Sequence, residues 1–308
     1  MAEAQGSAEL LATAHQTVAE PEYYQGKFAS SLTHCERAFA LYDPARHSEF
    51  LPTGSHTGVP ALGYAAWNLW NLGWPDSALA RAQEAVSLGR RLNHPFSMAR
   101  ALFFETAIHR FRRDSARQQE RAAEVVALSE MQEFHMFLAF GRLYAAMPRV
   151  VAGDVAGLPE SLEALTVIRE TGYQSPGILT LLAETQKAAG QLVEARATVA
   201  AALAISAQLG QPFTDVELRR LDGDLILATS GAPDEAAARY QQALDIARAQ
   251  EAKSLELRAA TCLARLWRDQ GKRAEARDLL GPLYAWFTEG FDTADLKDAK
   301  ALLDALAR

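Results

Sequence analysis

Apolar residues recur at the helical spacing in segment after segment, and a short polar turn separates each segment from the next. The pattern predicts helix pairs at 8–20 with 26–42, 60–72 with 75–92, 95–112 with 114–131, and 134–151 with 154–172. Further pairs follow at 176–189 with 191–209, 213–229 with 232–250, and 252–270 with 272–288. Pro60, Pro95, Pro176 and Pro212 each precede an apolar-periodic run, where a first-turn proline forfeits no hydrogen bond. A last helix at 293–307 carries Leu296, Ala299, Leu302, Leu303 and Leu306 on one stripe, with Asp295, Lys297, Asp298, Lys300 and Asp304 as its polar residues.

A turn residue recurs about every 40 residues, at Gly26, Gly73, Gly153, Gly190, Gly231 and Gly271, and Phe111 holds the same place in a seventh copy. Five and twelve residues after each turn stand mostly small side chains. Examples are Ala78 and Ala85, Ala116 and Ala123, Ala195 and Ala202, and Ala236 and Ala243. A spacing of seven is nearly two helical turns, so each pair lies on one face that lets a neighbouring helix approach closely. Ala66, Ala146, Ala183 and Ala264 serve the preceding helix in the same way. This arrangement resembles the tetratricopeptide (TPR) consensus, with a longer period and hence longer helices. The expected fold is an all-α, TPR-like helical-hairpin solenoid of about seven pairs, forming one domain over 1–308, with 293–307 as its capping helix. The longest interval, Gly26 to Gly73, contains an excursion at 43–58 with Pro44, Pro52, Gly54 and Gly58, long enough for a surface loop or a part of a binding site.

The wording of the repeats is similar to one family in particular. Ala38 to Pro44 (AFALYDP), Tyr64 to Trp67 (YAAW), His94 to Phe96 (HPF), Glu217 to Leu227 (ELRRLDGDLIL), Ala252 to Trp267 (AKSLELRAATCLARLW) and Gly271 to Leu280 (GKRAEARDLL) carry the likeness. They resemble the C-terminal region of bacterial signalling proteins that join a class III adenylate or guanylate cyclase domain, an AAA-type ATPase and a TPR-like tail. Trp286 to Leu306 resembles the closing segment of that tail. The resemblance implies a sensor or regulatory arm in bacterial signalling. It brings no catalysis, because the glycines form no GxGxxG or GxxxxGK[ST] run to cradle phosphate.

The composition, 49% apolar and 22% charged over 308 residues, is that of a chain able to bury a continuous core. A net charge of −7 weighs against nucleic acid and anionic membrane as partners. The start at Met1 to Ala12 lacks the form of a signal peptide, so a soluble, cytoplasmic protein is expected. Cys35 and Cys262 make no disulfide framework, and no HExxH or Cys-His cluster appears, so neither metal nor cofactor is expected. His47 and His56 share the long loop and read as ordinary loop histidines.

Aromatic residues concentrate between residues 60 and 150, and Trp67 and Trp70 stand six and three residues before a turn glycine, at inner-face positions of the TPR pattern. The equivalent positions are Glu184 and Lys187 before Gly190, and Arg265 and Arg268 before Gly271. A groove lined by them is aromatic near its N-terminal end and charged near its C-terminal end. The function expected is a non-enzymatic scaffold or sensor that binds a protein, a peptide or a small ligand in this concave groove. The alternative is a small-molecule or enzymatic pocket in the same groove, for which Glu105 and His109, four residues apart, supply an acid and a base.

Overall fold

The computed structural model describes residues 8–45 and 54–308, and the described residues form fifteen α-helices, one 3₁₀ turn and no strand. Residues 46–53 of the predicted loop, His47 among them, lie outside the described residues. Fourteen of the helices pair as seven hairpins: α1 (Ala8–Tyr24) with α2 (Phe28–Leu41), α3 (Gly58–Leu72) with α4 (Pro75–Leu92), and α5 (Pro95–Phe111) with α6 (Ser115–Met131). Next come α7 (His135–Val151) with α8 (Gly157–Glu170), α9 (Pro176–Ala188) with α10 (Leu192–Leu209), α11 (Asp215–Thr229) with α12 (Pro233–Ala249), and α13 (Lys253–Asp269) with α14 (Arg273–Trp286). The last helix, α15 (Ala294–Ala307), packs Leu296, Ala299, Leu302 and Leu306 onto the final hairpin and so covers the apolar end of the array.

The small residues of the repeat are where the helices meet. Ala78, Ala85, Ala195, Ala202, Ala236 and Ala243 are fully buried, as are Ala66, Ala146, Ala183 and Ala264 on the partner helices. Gly73 turns from α3 to α4 at φ +100, and the other five predicted turn glycines share its left-handed conformation, which a side chain would oppose.

The third hairpin corrects the register read from sequence. Phe111 ends α5 as a helical residue, and the left-handed turn falls on Arg113 at φ +59. The residues five and twelve places beyond it, Gln118 and Val125, are buried, while Ala116 and Ala123 are exposed. Asp114 accepts from the amide of Arg117 and caps α6, which fixes the turn two residues later than the apolar pattern placed it. The first helix also differs. The apolar pattern ends it at 20, yet α1 continues through Pro21 to Tyr24. Packing Tyr23 and Tyr24 against Tyr64 and Phe213 outweighs the missing backbone bond.

The solenoid closes on itself. Residues far apart in sequence join the second hairpin to the last: Ser254 Oγ donates to the carbonyl of Trp70 at 2.6 Å, and Trp74 meets Trp286 with ring centroids 5.5 Å apart. Glu289 accepts from the amides of Asp76 and Ser77 at 2.9 Å each, placing a carboxylate on the positive end of α4. Buried Arg112 donates to Asp76 at 2.9 Å, to Asp292 at 3.0 Å and to the carbonyl of Pro75 at 2.8 Å. The result is a ring of helices with α1, α3, α5, α7, α9, α11 and α13 facing its interior.

One outer helix, α10, is long and apolar enough by length and composition to match a bilayer span, with mean hydropathy 1.3 over Leu192–Leu209. It carries Glu194 and Arg196 and buries Ala195, Val199 and Ala202 in its hairpin.

Candidate functional site: an aromatic cavity inside the ring

Ring closure deepens the expected groove into a hollow of about 340 Å³. Every inner helix contributes to its wall, and no outer helix does. Tyr23 and Tyr24 come from α1, Tyr64, Trp67 and Trp70 from α3, Phe103, Phe104 and Phe111 from α5, and Phe137, Phe140 and Tyr144 from α7. Phe213 and Tyr173 enter from the turns that flank α9 and α11. The rings meet largely edge to face, as between Trp67 and Phe104 at 4.7 Å and between Tyr64 and Phe104 at 5.1 Å, the arrangement their quadrupoles favour.

Trp67 and Trp70 therefore line the interior and belong to the core at once, at 7% and 3% exposure. The indole N–H of Trp67 donates to the carbonyl of Phe104 at 3.2 Å, and Trp70 stacks on Phe111 at 4.6 Å.

A second, charged chamber of about 450 Å³ adjoins the first and shares Arg110, Glu217 and Arg258 with it. Glu184, Lys187 and Arg265, named from sequence, lie in its wall. Glu184 pairs with Arg110 at 2.6 Å, Lys187 pairs with Asp224, and Arg265 pairs with Asp298 at 3.3 Å. The pairs run on from Asp224 through Arg220, Glu217, Arg258, Asp295 and Arg113 to Asp298, tying α9, α11, α13 and α15 to the turn after α5. The interior thus passes from aromatic to charged.

Two other residue sets named from sequence lie elsewhere. Arg268 pairs with its neighbour Asp269 and lines neither chamber. Glu105 and His109 are buried between α5 and α6, 3.7 Å apart, with Arg121 Nε 3.5 Å from the Glu105 carboxylate, so the acid and base face a helix interface and no hollow.

The interior residues missed by sequence reasoning carry a signal that the corrected register exposes. Tyr23 stands three residues before Gly26, and Arg110 three before the turn at Arg113, the same place as Trp70 before Gly73. Tyr64 and Tyr144, which belong to the aromatic concentration between residues 60 and 150, each stand nine before their glycine and line the same hollow.

Burial sets the electrostatics. Desolvation pushes the Tyr144 phenol up to about 12 against the opposing pull of Arg110, and raises Tyr23 well above the ordinary tyrosine range. For Glu217 burial again acts upward, but the guanidinium groups of Arg220, Arg258 and Arg110 outweigh it and hold the carboxyl at about 2. A carboxyl depressed on folding contributes stability that is fully present above about 4.5 and is lost as pH falls through about 2. Denaturation curves recorded across that window are expected to show the unsubstituted protein losing stability more steeply than Glu217→Gln. Parallel curves would contradict the role given to this carboxylate.

No family model and no curated protein matches the chain. Solved structures do match. A Rap protein in complex with the competence and sporulation factor superposes with a TM-score of 0.64 at 11% identity, over 96% of this chain and 77% of that one. The Rap conjugation gene regulator of the plasmid pLS20, in complex with a Phr peptide, gives 0.62 at 10% identity, over 96% of this chain and 74% of that one. A signal transduction ATPase with numerous domains (STAND) from Pyrococcus horikoshii, which carries a tetratricopeptide repeat sensor, gives 0.46 at 14% identity, over 96% of this chain and 43% of that one. At these identities the likeness defines the fold: an all-α helical repeat of the Rap and TPR kind.

Proposed function

We propose that the chain is a non-enzymatic receptor, a single TPR-like solenoid whose ring of helices binds a short peptide segment in its interior. The observation that carries this is the hollow itself, lined by the inner helices of all seven hairpins, walled by rings mainly from the first four, and continuous with a chamber of paired charges. Aromatic anchors in a desolvated pocket, with polar groups beside them, are the usual makeup of a binding hot spot. The two Rap structures, one in complex with the competence and sporulation factor and the other with a Phr peptide, support the same reading by analogy of fold. Trp67, Trp70, Glu184, Lys187 and Arg265 are assigned to the binding wall on this account. The resemblance to cyclase-linked TPR tails supports a role in bacterial signalling, with the peptide as its input.

Affinity selection from a random pool of short peptides, with the captured sequences identified by mass spectrometry, tests the proposal. The expected result is a set of related sequences that compete for one site per chain. Failure to enrich any sequence would contradict it. A second reading has its own support, because about 340 Å³ is also the size of a small-molecule pocket. A thermal-shift screen of ring-bearing metabolites tests it, and stabilisation by one of them in the absence of any peptide hit would favour it.

A further inference from the structure

Resting on the peptide reading, we propose that the aromatic cavity takes one uncharged, ring-bearing side chain with a hydrogen-bonding edge, that of tyrosine or tryptophan, in preference to phenylalanine, leucine or any charged residue. The volume sets the first limit, since about 340 Å³ walled by rings accommodates a large flat side chain and favours ring-on-ring packing.

Charge sets the second. The cations bordering the hollow already have partners: Arg110 pairs with Glu184 at 2.6 Å, Arg258 with Asp295 at 2.6 Å, and Arg100 with Glu20 at 3.7 Å. A charged side chain entering between the rings gives up its water and meets only charges already paired, which offset that cost poorly.

The third limit is a hydroxyl left without a partner. Tyr144 is more than nine-tenths buried and lines the hollow, with its ring edge-on to Phe103 at 5.9 Å. Its hydroxyl makes no hydrogen bond among the described residues, and neither does that of Tyr173, which lines the same hollow. A hydroxyl in such a wall takes its hydrogen bonds from water until a ligand displaces that water. A ligand that displaces this water without replacing its hydrogen bonds loses affinity, whereas a phenol or an indole N–H restores them. Sites built to hydrogen-bond a substrate group reject the analogue that lacks it far better than apolar pockets reject an extra group.

The test uses N-acetyl amides of tyrosine, tryptophan, phenylalanine and leucine as probes, with dissociation constants measured by ligand-observed NMR titration. They are titrated on the unsubstituted protein, on Tyr144→Phe and on Tyr173→Phe, each variant first shown to melt normally. The unsubstituted protein is expected to bind the tyrosine and tryptophan probes about tenfold more tightly than the phenylalanine and leucine probes. Tyr144→Phe is expected to bring the tyrosine probe within about twofold of the phenylalanine probe while leaving the phenylalanine probe's own affinity unchanged or improved. Equal binding of all four probes, or a preference that survives both variants, overturns the assignment. If none of the four binds while peptides selected from the pool do, the assignment also fails and the peptide reading stands. If no selected peptide binds either, both fall together.

Discussion

Trp70→Ala is expected to destabilise the protein by about 3–5 kcal/mol, near the top of the range for a single core substitution. Three separate contacts end at this residue: its ring stacks on Phe111 at 4.6 Å, the Arg258 guanidinium sits 4.8 Å from its centroid, and its carbonyl accepts from Ser254 across the ring closure. Alanine keeps the carbonyl but opens a void beneath Phe111 and strips Arg258 of an aromatic face worth about 0.5–2 kcal/mol. Chemical denaturation checks this directly. A loss below about 1 kcal/mol would show that the interior rings are not part of the packed core.

Gly290→Leu is expected to spring the ring. Gly290 sits at φ +75, where a side chain is strained, and a β-carbon built on it falls 2.0 Å from the Pro75 ring at the start of α4. Strain and overlap together are worth about 3 kcal/mol or more, enough to detach the segment that carries Glu289 and Asp292. Asp76 and Ser77 then lose their carboxylate cap, and Arg112 loses one of its two carboxylates. Small-angle scattering is expected to show a larger radius of gyration for the variant, with a lowered melting temperature. An unchanged scattering curve would mean that the contacts between α4 and the α14–α15 connection do not hold the ring shut.

The repeat was legible because most hairpins repeat one local rule, a left-handed turn followed by small residues on one face. The rule failed where its turn residue is not glycine: Arg113 adopts the turn while Phe111, two residues earlier, mimics the apolar period. That Trp67 and Trp70 face inward was also legible from their distance to Gly73. Whether they meet solvent or other rings was not, because it depends on how far the solenoid curls. That curvature accumulates from small rotations at every hairpin and ends in contacts such as Glu289 with Ser77 and Ser254 with Trp70, between residues with no common pattern. Tyr23 escaped notice for a simpler reason: the predicted first helix ends at 20, yet the helix runs past Pro21 and carries the tyrosine into the cavity wall.

The central claim is that the interior of the closed ring is the binding site, and a variant that fills it without touching the closure tests this most directly. Ile178 on α9 lines the hollow and takes no part in the contacts between α4 and the last hairpin. The affinity of the best peptide from the selection is measured by titration calorimetry on the unsubstituted protein and on Ile178→Trp, with melting curves and scattering for both. The account predicts a variant that keeps its closed shape and loses at least about thirtyfold in affinity, about 2 kcal/mol of binding free energy. A folded, closed Ile178→Trp that binds the peptide as tightly as the unsubstituted protein would contradict it.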